Sequence, residues 1–448
     1  MNNETIAHPI DEKLSKGKTI SLAIQHMLIA ILSAIPVPLI ISQHADLSKD
    51  DTTYFISAVI LASGISSILC SIGPKKISPR VPMVMGASFS AIPICIKTIN
   101  SASSVSSGFQ LIAGGTLIAG LLMFLLAPAW SKLKPLFPLV VVATNTMILG
   151  IYLMPNTFHW IIQGSKVPGQ VDLSSILLAL FVFLLNIFFS KFLKDFLANL
   201  NVLLCLVIGT IVAVAFNMVD FNPVIETNFL EPIVPFVRYG LPKFNLVTMT
   251  SFAIVAILGM VEISGTSMGL HNIVHKEMDD VQLTKVLRTS GINAGLSGTF
   301  GAVHPVPFVQ NLGLLDMTKI FSRFVVAVAG ILLILLSFFP QAAAFINVIP
   351  KPVLGGVSLS IFGGIVASGA SMLKGVEMEG NHNKLIVGLA IGVAMLPAFY
   401  SDFYGGFHQI IQDIFGNGIV AGGLTAILLN LLFNFKEIKT AFSEKKKK

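Results

Sequence analysis

Charge is scarce in this sequence: 11% of its 448 residues are Asp, Glu, Lys or Arg, against 54% hydrophobic residues and a mean hydropathy of +0.84. A soluble domain carries about a quarter charged residues, so a soluble enzyme is excluded and lipid is the solvent for most of the chain. Cysteine is scarce too. Cys70, Cys95 and Cys205 fall in different apolar segments without metal-ligand spacing, which excludes a disulfide framework, gives no metal site and leaves them as packing residues. The polar stretch Met1 to Lys18 lacks the apolar core and cleavage site of a secretory leader, so no cleaved signal is expected and the first span does the targeting. No Walker loop, metal-spaced pair or Ser-His-Asp order survives the membrane assignment, and neither catalysis nor a cofactor is expected. No separate soluble domain is visible.

Long apolar runs are what the chain has in abundance. Bounded by charges or by Gly and Pro, they fall near 18–43, 53–72, 82–99, 105–128, 135–154, 172–190, 196–218, 247–270, 289–303, 307–319, 322–340, 352–371, 383–400 and 419–435, fourteen in all. The third, ninth and tenth are short or interrupted by Pro and Gly. With both termini cytoplasmic, this threading puts all but six of the 29 Lys and Arg on the inner side; the exceptions are Lys49, Lys97, Lys166, Arg238, Lys243 and Lys351. The positive-inside rule supports that orientation, and an odd number of spans would scramble it. The net charge of +7 therefore reports orientation in the inner (cell) membrane rather than nucleic-acid binding. Lys445 to Lys448 read as a solvated tail near anionic headgroups.

Fourteen spans divide into seven plus seven, and an odd-numbered repeat inserts its second copy upside down. The expected fold is thus an all-α polytopic membrane protein of two inverted seven-span repeats. Weak internal echoes agree: Leu139 to Gly150 matches Pro352 to Gly363 in length and follows a similar Pro-bearing entry, and Pro82 to Ser88 mirrors Pro307 to Gly313. Spans three and ten are expected to be broken, each with a short extended piece, and to meet at the bilayer centre, where freed backbone groups can face protein or ligand.

Polar residues inside the apolar runs mark the candidate site. His304-Pro305-Val306-Pro307 precedes the run from Gln310 and Asn311 through Gly313 and Thr318 to Lys319. The two prolines remove backbone donors and stop a helix from running through, so a half-helix begins near Gln310 with its amides aimed at the midplane. Of the 22 Asp and Glu, only Glu262 and Asp316 escape placement in loops, tails or span ends. A carboxylate at the bilayer centre costs about 2.5–3.5 kcal/mol on insertion scales, which makes Glu262 a functional candidate beside the alternative of a protonated or internally bonded structural Glu. Asp316, beside Lys319, reads as a charge at the cytoplasmic edge. His26 interrupts the first span and is assigned to a hydrogen-bond network, with direct involvement in coupling as the alternative. His304 stays open between loop residue and pocket lip, and His271 and His275 are expected to be solvated at the cytoplasmic edge.

The run from Gln310 to Lys319 fits the signature Gln, Glu or Pro, then Asn, any residue, Gly, four residues, Thr, and a basic residue or Gly. On that signature, and on similarity from about Ser21 to about Gly392, the chain resembles the nucleobase-ascorbate transporter (nucleobase:cation symporter 2, or xanthine/uracil permease) family. The resemblance implies a core domain of residues 1–128 and 247–340, a gate domain of 129–218 and 352–436, a homodimer, and elevator-type secondary transport of a nucleobase by proton symport. It assigns base contacts to Glu262 and Gln310, with Phe89 and Val309 as neighbours, Phe89 either stacking on the ring or packing the core. Asn311 orients the site. Chemically, a base edge alternates N–H donors and C=O acceptors, which an amide and a carboxylate complement. Gln at the first signature position, where uracil transporters carry Glu and ascorbate transporters Pro, favours an oxidised purine such as xanthine or urate. Two positions depart from the family: Thr266 stands where an Asp or His usually follows the span-eight Glu, and Ser290 where an Asp or Asn precedes the Gly of span nine. Both keep a hydroxyl and lose an ionisable group or amide. The alternatives are a uracil or other pyrimidine permease, an anion transporter of the same inverted-repeat fold, and a membrane channel or sensor.

Overall fold

A computed structural model describes residues 8–163, 172–194, 197–198, 200–379, 381–400, 402–408, 411–412 and 415–445. Among the described residues the regular structure is helical apart from one two-stranded ribbon. In the first half, α1 (Lys16–Ala34) and α2 (Pro36–His44) break at a proline, α3 is Lys49–Ile72, β1 is Met85–Ala87 and α4 is Ile92–Asn100. There follow α5 (Val105–Lys132), α6 (Leu139–Gln163), α7 (Leu173–Phe192), α8 (Asn201–Ala215) and the short α9 (Asn222–Glu226). The second half holds α10 (Leu246–Ile273), α11 (Asp280–Thr299), β2 (Pro305–Pro307), α12 (Val309–Thr318), α13 (Arg323–Ser337) and α14 (Pro340–Asn347). It closes with α15 (Lys351–Met372), α16 (Asn383–Phe399), α17 (Gly418–Phe433) and α18 (Phe435–Lys445).

Among the described residues, seven helices are long and apolar enough to cross a membrane; α13 and α14 form an eighth candidate bent by 82°, and four further apolar helices are shorter. The chain is a multi-pass helical membrane protein. One expected boundary needs correction: the apolar run 289–303 is the second part of α11, which starts at Asp280. Hydropathy missed its first turns because they carry Asp280, Lys285 and Arg288.

The packing partnerships recur with the halves exchanged. Helix α5 lies on α11 as α13 lies on α3; α1 meets α13 as α10 meets α5. Likewise α7 pairs with α8 as α16 pairs with α17, and both α7 and α8 touch α15 as α16 and α17 touch α6. Lipid gives apolar helices no hydrophobic reason to associate, so close approach at small residues supplies the contact. A Cβ on Gly64 would stand 2.7 Å from the Gly330 carbonyl in the α3–α13 pair, and one on Gly291 would stand 2.5 Å from the Gly120 carbonyl in the exchanged α11–α5 pair. On the other side α7 turns Leu173, Leu177, Leu184 and Phe188 outward, each more than half exposed, as a helix in contact with lipid does.

At the centre, β1 and β2 pair antiparallel in the register Met85 with Pro307, Gly86 with Val306 and Ala87 with Pro305. The prolines donate nothing, so the ribbon's amides find other acceptors: Met85 N–H donates to Ser67 Oγ at 2.9 Å, Ser88 N–H to the His304 carbonyl at 3.1 Å and Phe308 N–H to the Val84 carbonyl at 3.0 Å. Extended backbone at this depth is tolerated because protein groups satisfy it.

Candidate functional site

Each strand delivers the chain to the start of a helical piece, Phe89 after β1 and Val309 after β2, so two helix N-termini open beside the ribbon. Their partial positive charge favours oxygen acceptors of a ligand. Glu262 projects from the middle of α10, the helix that runs alongside. A cavity of about 40 Å³ lies at this junction. One wall is built from Ala87, Phe89, Glu262, Thr266 and the segment Val306 to Gln310; the other is Asn145, Thr146 and Leu149 of α6 with Ile365 and Ser368 of α15. Among the described residues no Lys or Arg lines it. The Glu262 carboxyl is half-buried and makes no hydrogen bond to another described residue.

Five of the eight predicted residues therefore share this cavity: Phe89, Glu262, Thr266, Val309 and Gln310. Phe89 is buried and stands edge-on to Phe362 of α15, with ring centroids 6.2 Å apart and an interplanar angle of 86°. His26 and Asn311 form a clamp behind the cavity. Asn311 Nδ2 donates to the Pro82 carbonyl at 3.3 Å, which leaves its Oδ1 to accept from His26 Nδ1 at 2.6 Å. That one amide ties α1, the approach to β1 and the first turn of α12 together. Ser290 is elsewhere: it is buried beside the Gly291–Gly120 contact, and its hydroxyl has no hydrogen-bond partner among the described residues.

The remaining polar candidates resolve individually. Asp316 is exposed and paired with Lys319 at 2.6 Å. His275 is exposed, but the expectation for His271 was wrong: it is 1% exposed, and its Nδ1 donates to the Ser267 carbonyl at 2.8 Å. The last turn of α10 buries it against its own helix. His304 is neither an exposed loop residue nor a lining residue of the cavity. It is 1% exposed, neither ring nitrogen has a hydrogen-bond partner among the described residues, and its Nε2 would stand 3.5 Å from a Cβ on Gly259, one turn before Glu262. Among the described residues no group of three potential metal ligands occurs.

Sequence reasoning missed the α6 and α15 wall. A signal was present, since Thr144-Asn145-Thr146 places three successive polar residues inside an apolar run, within the segment already singled out as a repeat echo. Two larger clefts contain none of the predicted residues: one of about 290 Å³ between Pro93, Lys97, Asp402 and Tyr404, and one of about 640 Å³ near Pro138, Glu377, Asn383 and Asn434.

Broken half-helices, an antiparallel ribbon and a central cavity with a carboxyl and an amide define a multi-pass membrane protein of the permease class. The family model described as "Permease family" matches residues 17–403, and the chain belongs to that family, the nucleobase-ascorbate transporters its signature resembles. Its relatives include a uric acid permease (PucK) of Bacillus subtilis, 34% identical over 94% of this chain and 96% of the relative, and a xanthine permease of the same organism, 32% identical over 93% and 94%. A uric acid transporter (UacT) of Escherichia coli is 31% identical over 95% of this chain and 88% of its own length. Among solved structures, the transmembrane domain of the cyanobacterial bicarbonate transporter BicA aligns with a TM-score of 0.63 at 18% identity, over 87% of this chain and 98% of that one. The murine Solute Carrier 26 family member A9 anion transporter aligns at 0.59 and 12% identity, over 94% and 69%. These two likenesses establish the fold alone.

Proposed function

We propose that the protein is a secondary active transporter that takes up an oxidised purine, xanthine or uric acid, together with a proton. The observation that carries this reading is that Glu262 and Gln310, far apart in sequence, line one cavity at the N-terminus of a half-helix. Gln310 offers a donor and an acceptor on a planar head, and Glu262 accepts N–H bonds as a carboxylate or carries the proton that travels with the base. Xanthine and uric acid permeases among the relatives support the substrate class.

In this reading the ribbon, α10 and α12 belong to a core domain (1–128 and 247–340) that moves in elevator fashion against a gate domain (129–218 and 352–436). A space of about 40 Å³ suits a few water molecules at roughly 10–15 Å³ each, so the two walls must part before a bicyclic base enters. The exchanged packing partnerships support fourteen spans in two inverted repeats, and the bias of Lys and Arg supports both termini on the cytoplasmic side of the inner membrane. A homodimer follows from the family resemblance. The anion-transporter reading fits the fold equally well, but an unpaired carboxyl, with no Lys or Arg in the cavity wall among the described residues, is hostile to a small inorganic anion that has no N–H to offer it.

Ligand-dependent stability of the purified protein tests the substrate class. A saturating ligand at a hundred times its Kd stabilises the folded state by about 2.7 kcal/mol, so xanthine or uric acid should raise Tm and bicarbonate should not. The opposite order would overturn the proposal in favour of the anion reading.

A further inference from the structure

One amide on the α6 and α15 side of the cavity has no part in the function argued so far. Asn145 lines the cavity from the second turn of α6 and is 7% exposed, and its Oδ1 has no hydrogen-bond partner among the described residues. Neighbouring polar side chains on that wall are satisfied by their own helices: Thr146 Oγ1 donates to the Val142 carbonyl at 3.0 Å and Ser368 Oγ to the Gly364 carbonyl at 2.8 Å. Thr144, also on α6, does the same with Val140 at 2.6 Å. A buried amide left without a partner is unfavourable unless a ligand or water completes it.

Surrounding residues fix where this amide stands. A Cβ on Gly423 of α17 would lie 2.9 Å from Asn145 Oδ1 and 2.9 Å from Leu258 Cδ2. Leu258 precedes Glu262 by one helical turn on the same face of α10. The Asn145 head group thus occupies a niche kept open by the missing side chain of Gly423, on the opposite wall from Glu262 and Gln310. A purine whose lactam edge meets Glu262 and Gln310 turns its five-membered ring toward that wall. In xanthine that ring presents an N–H donor and a ring-nitrogen acceptor, and in uric acid N–H donors and a carbonyl acceptor; either set is the complement of a carboxamide. A pyrimidine has no second ring with which to reach it.

We propose that Asn145 is a substrate-binding residue on the gate side that selects purines over pyrimidines by hydrogen-bonding the edge of the five-membered ring. The inference rests on the purine reading above. Its signature is selectivity, because a merely structural role would weaken every ligand alike, whereas loss of this bond affects only ligands that own the second ring.

The test measures binding of xanthine and of uracil, which share the lactam edge, to the full-length protein purified in detergent. Asn145→Leu should weaken xanthine binding about tenfold, the equivalent of one hydrogen bond, and leave uracil binding within about twofold, so that the affinity ratio falls about fivefold or more. Asn145→Ser is the second variant. Its hydroxyl can bond its own helix as Thr144 and Thr146 do, which preserves folding, yet it is too short to reach the ligand, and the same drop in ratio is expected. Size-exclusion profiles and Tm identify any variant that misfolds. An unchanged ratio in a folded variant of either kind overturns the assignment of Asn145. Failure of the wild-type protein to bind xanthine at all overturns the purine reading instead, and is seen before any variant is compared.

Discussion

Replacing Glu262 by Gln separates binding from coupling. The carboxyl makes no hydrogen bond to another described residue, so the isosteric amide strands no partner in the protein. Its effect on folding should stay within about 0.5 kcal/mol. Toward substrate the change is larger. A hydrogen bond to a charged acceptor contributes about 1.5–3 kcal/mol, against about 1 kcal/mol for a neutral one, so xanthine binding should weaken by roughly 0.5–2 kcal/mol, or about 2- to 30-fold. Coupling should vanish altogether, because an amide takes up no proton in this range. With one proton per base, an inward gradient of one pH unit supplies about 1.4 kcal/mol and sustains tenfold accumulation. The assay is uptake of labelled xanthine into proteoliposomes under that gradient, beside exchange of labelled for unlabelled xanthine without one. Wild-type protein should concentrate the label about tenfold, whereas Glu262→Gln should only equilibrate it while still catalysing exchange at higher substrate concentration. Accumulation by the variant equal to that of the wild type would remove Glu262 from proton coupling and refute the reasoning.

Other consequences follow from the same geometry. Gln310→Glu replaces a donor-acceptor head with acceptors only; stranding a substrate acceptor costs about 1–3 kcal/mol, so competition by unlabelled xanthine should weaken roughly tenfold or more, and an unchanged competition profile would reduce Gln310 to a packing residue. His304→Leu removes two buried ring nitrogens that have no hydrogen-bond partners among the described residues, so Tm should hold steady or rise; a clear fall would show that the ring is bonded in the working protein. Glu262 is the one Asp or Glu lining the cavity among the described residues, so uptake should follow pH as a single group, and Thr266→Asp, which places a second carboxyl one turn away, should broaden or split that profile.

Much of this architecture was legible because membrane folding imposes hard constraints. Apolar runs and the charge bias outlined the spans, and Pro305 and Pro307 marked where a helix could not continue. Glu262 stood out because burial in lipid makes a carboxyl expensive, and Gln310 and Asn311 because amides after a proline break have few structural uses. The opposing wall was harder to see. Asn145 and Ser368 sit in ordinary apolar helices, and hydropathy does not distinguish a polar side chain bonded to its own helix from one aimed at a cavity. The same blindness misplaced His271, whose ring folds back onto Ser267, and left His304 undecided. The start of α11 was hidden for a different reason: its first turns carry Asp280, Lys285 and Arg288, so they do not register as an apolar run.

Competition for uptake bears most directly on the central claim that this cavity carries an oxidised purine. Labelled xanthine is presented to proteoliposomes containing the full-length protein, with excess unlabelled uric acid, uracil, ascorbate or bicarbonate in parallel. The account predicts saturable xanthine uptake that uric acid abolishes, while the other three leave it largely intact. Block by uracil with no effect of uric acid would place the protein among pyrimidine carriers, and the absence of saturable xanthine uptake would contradict the account at its root.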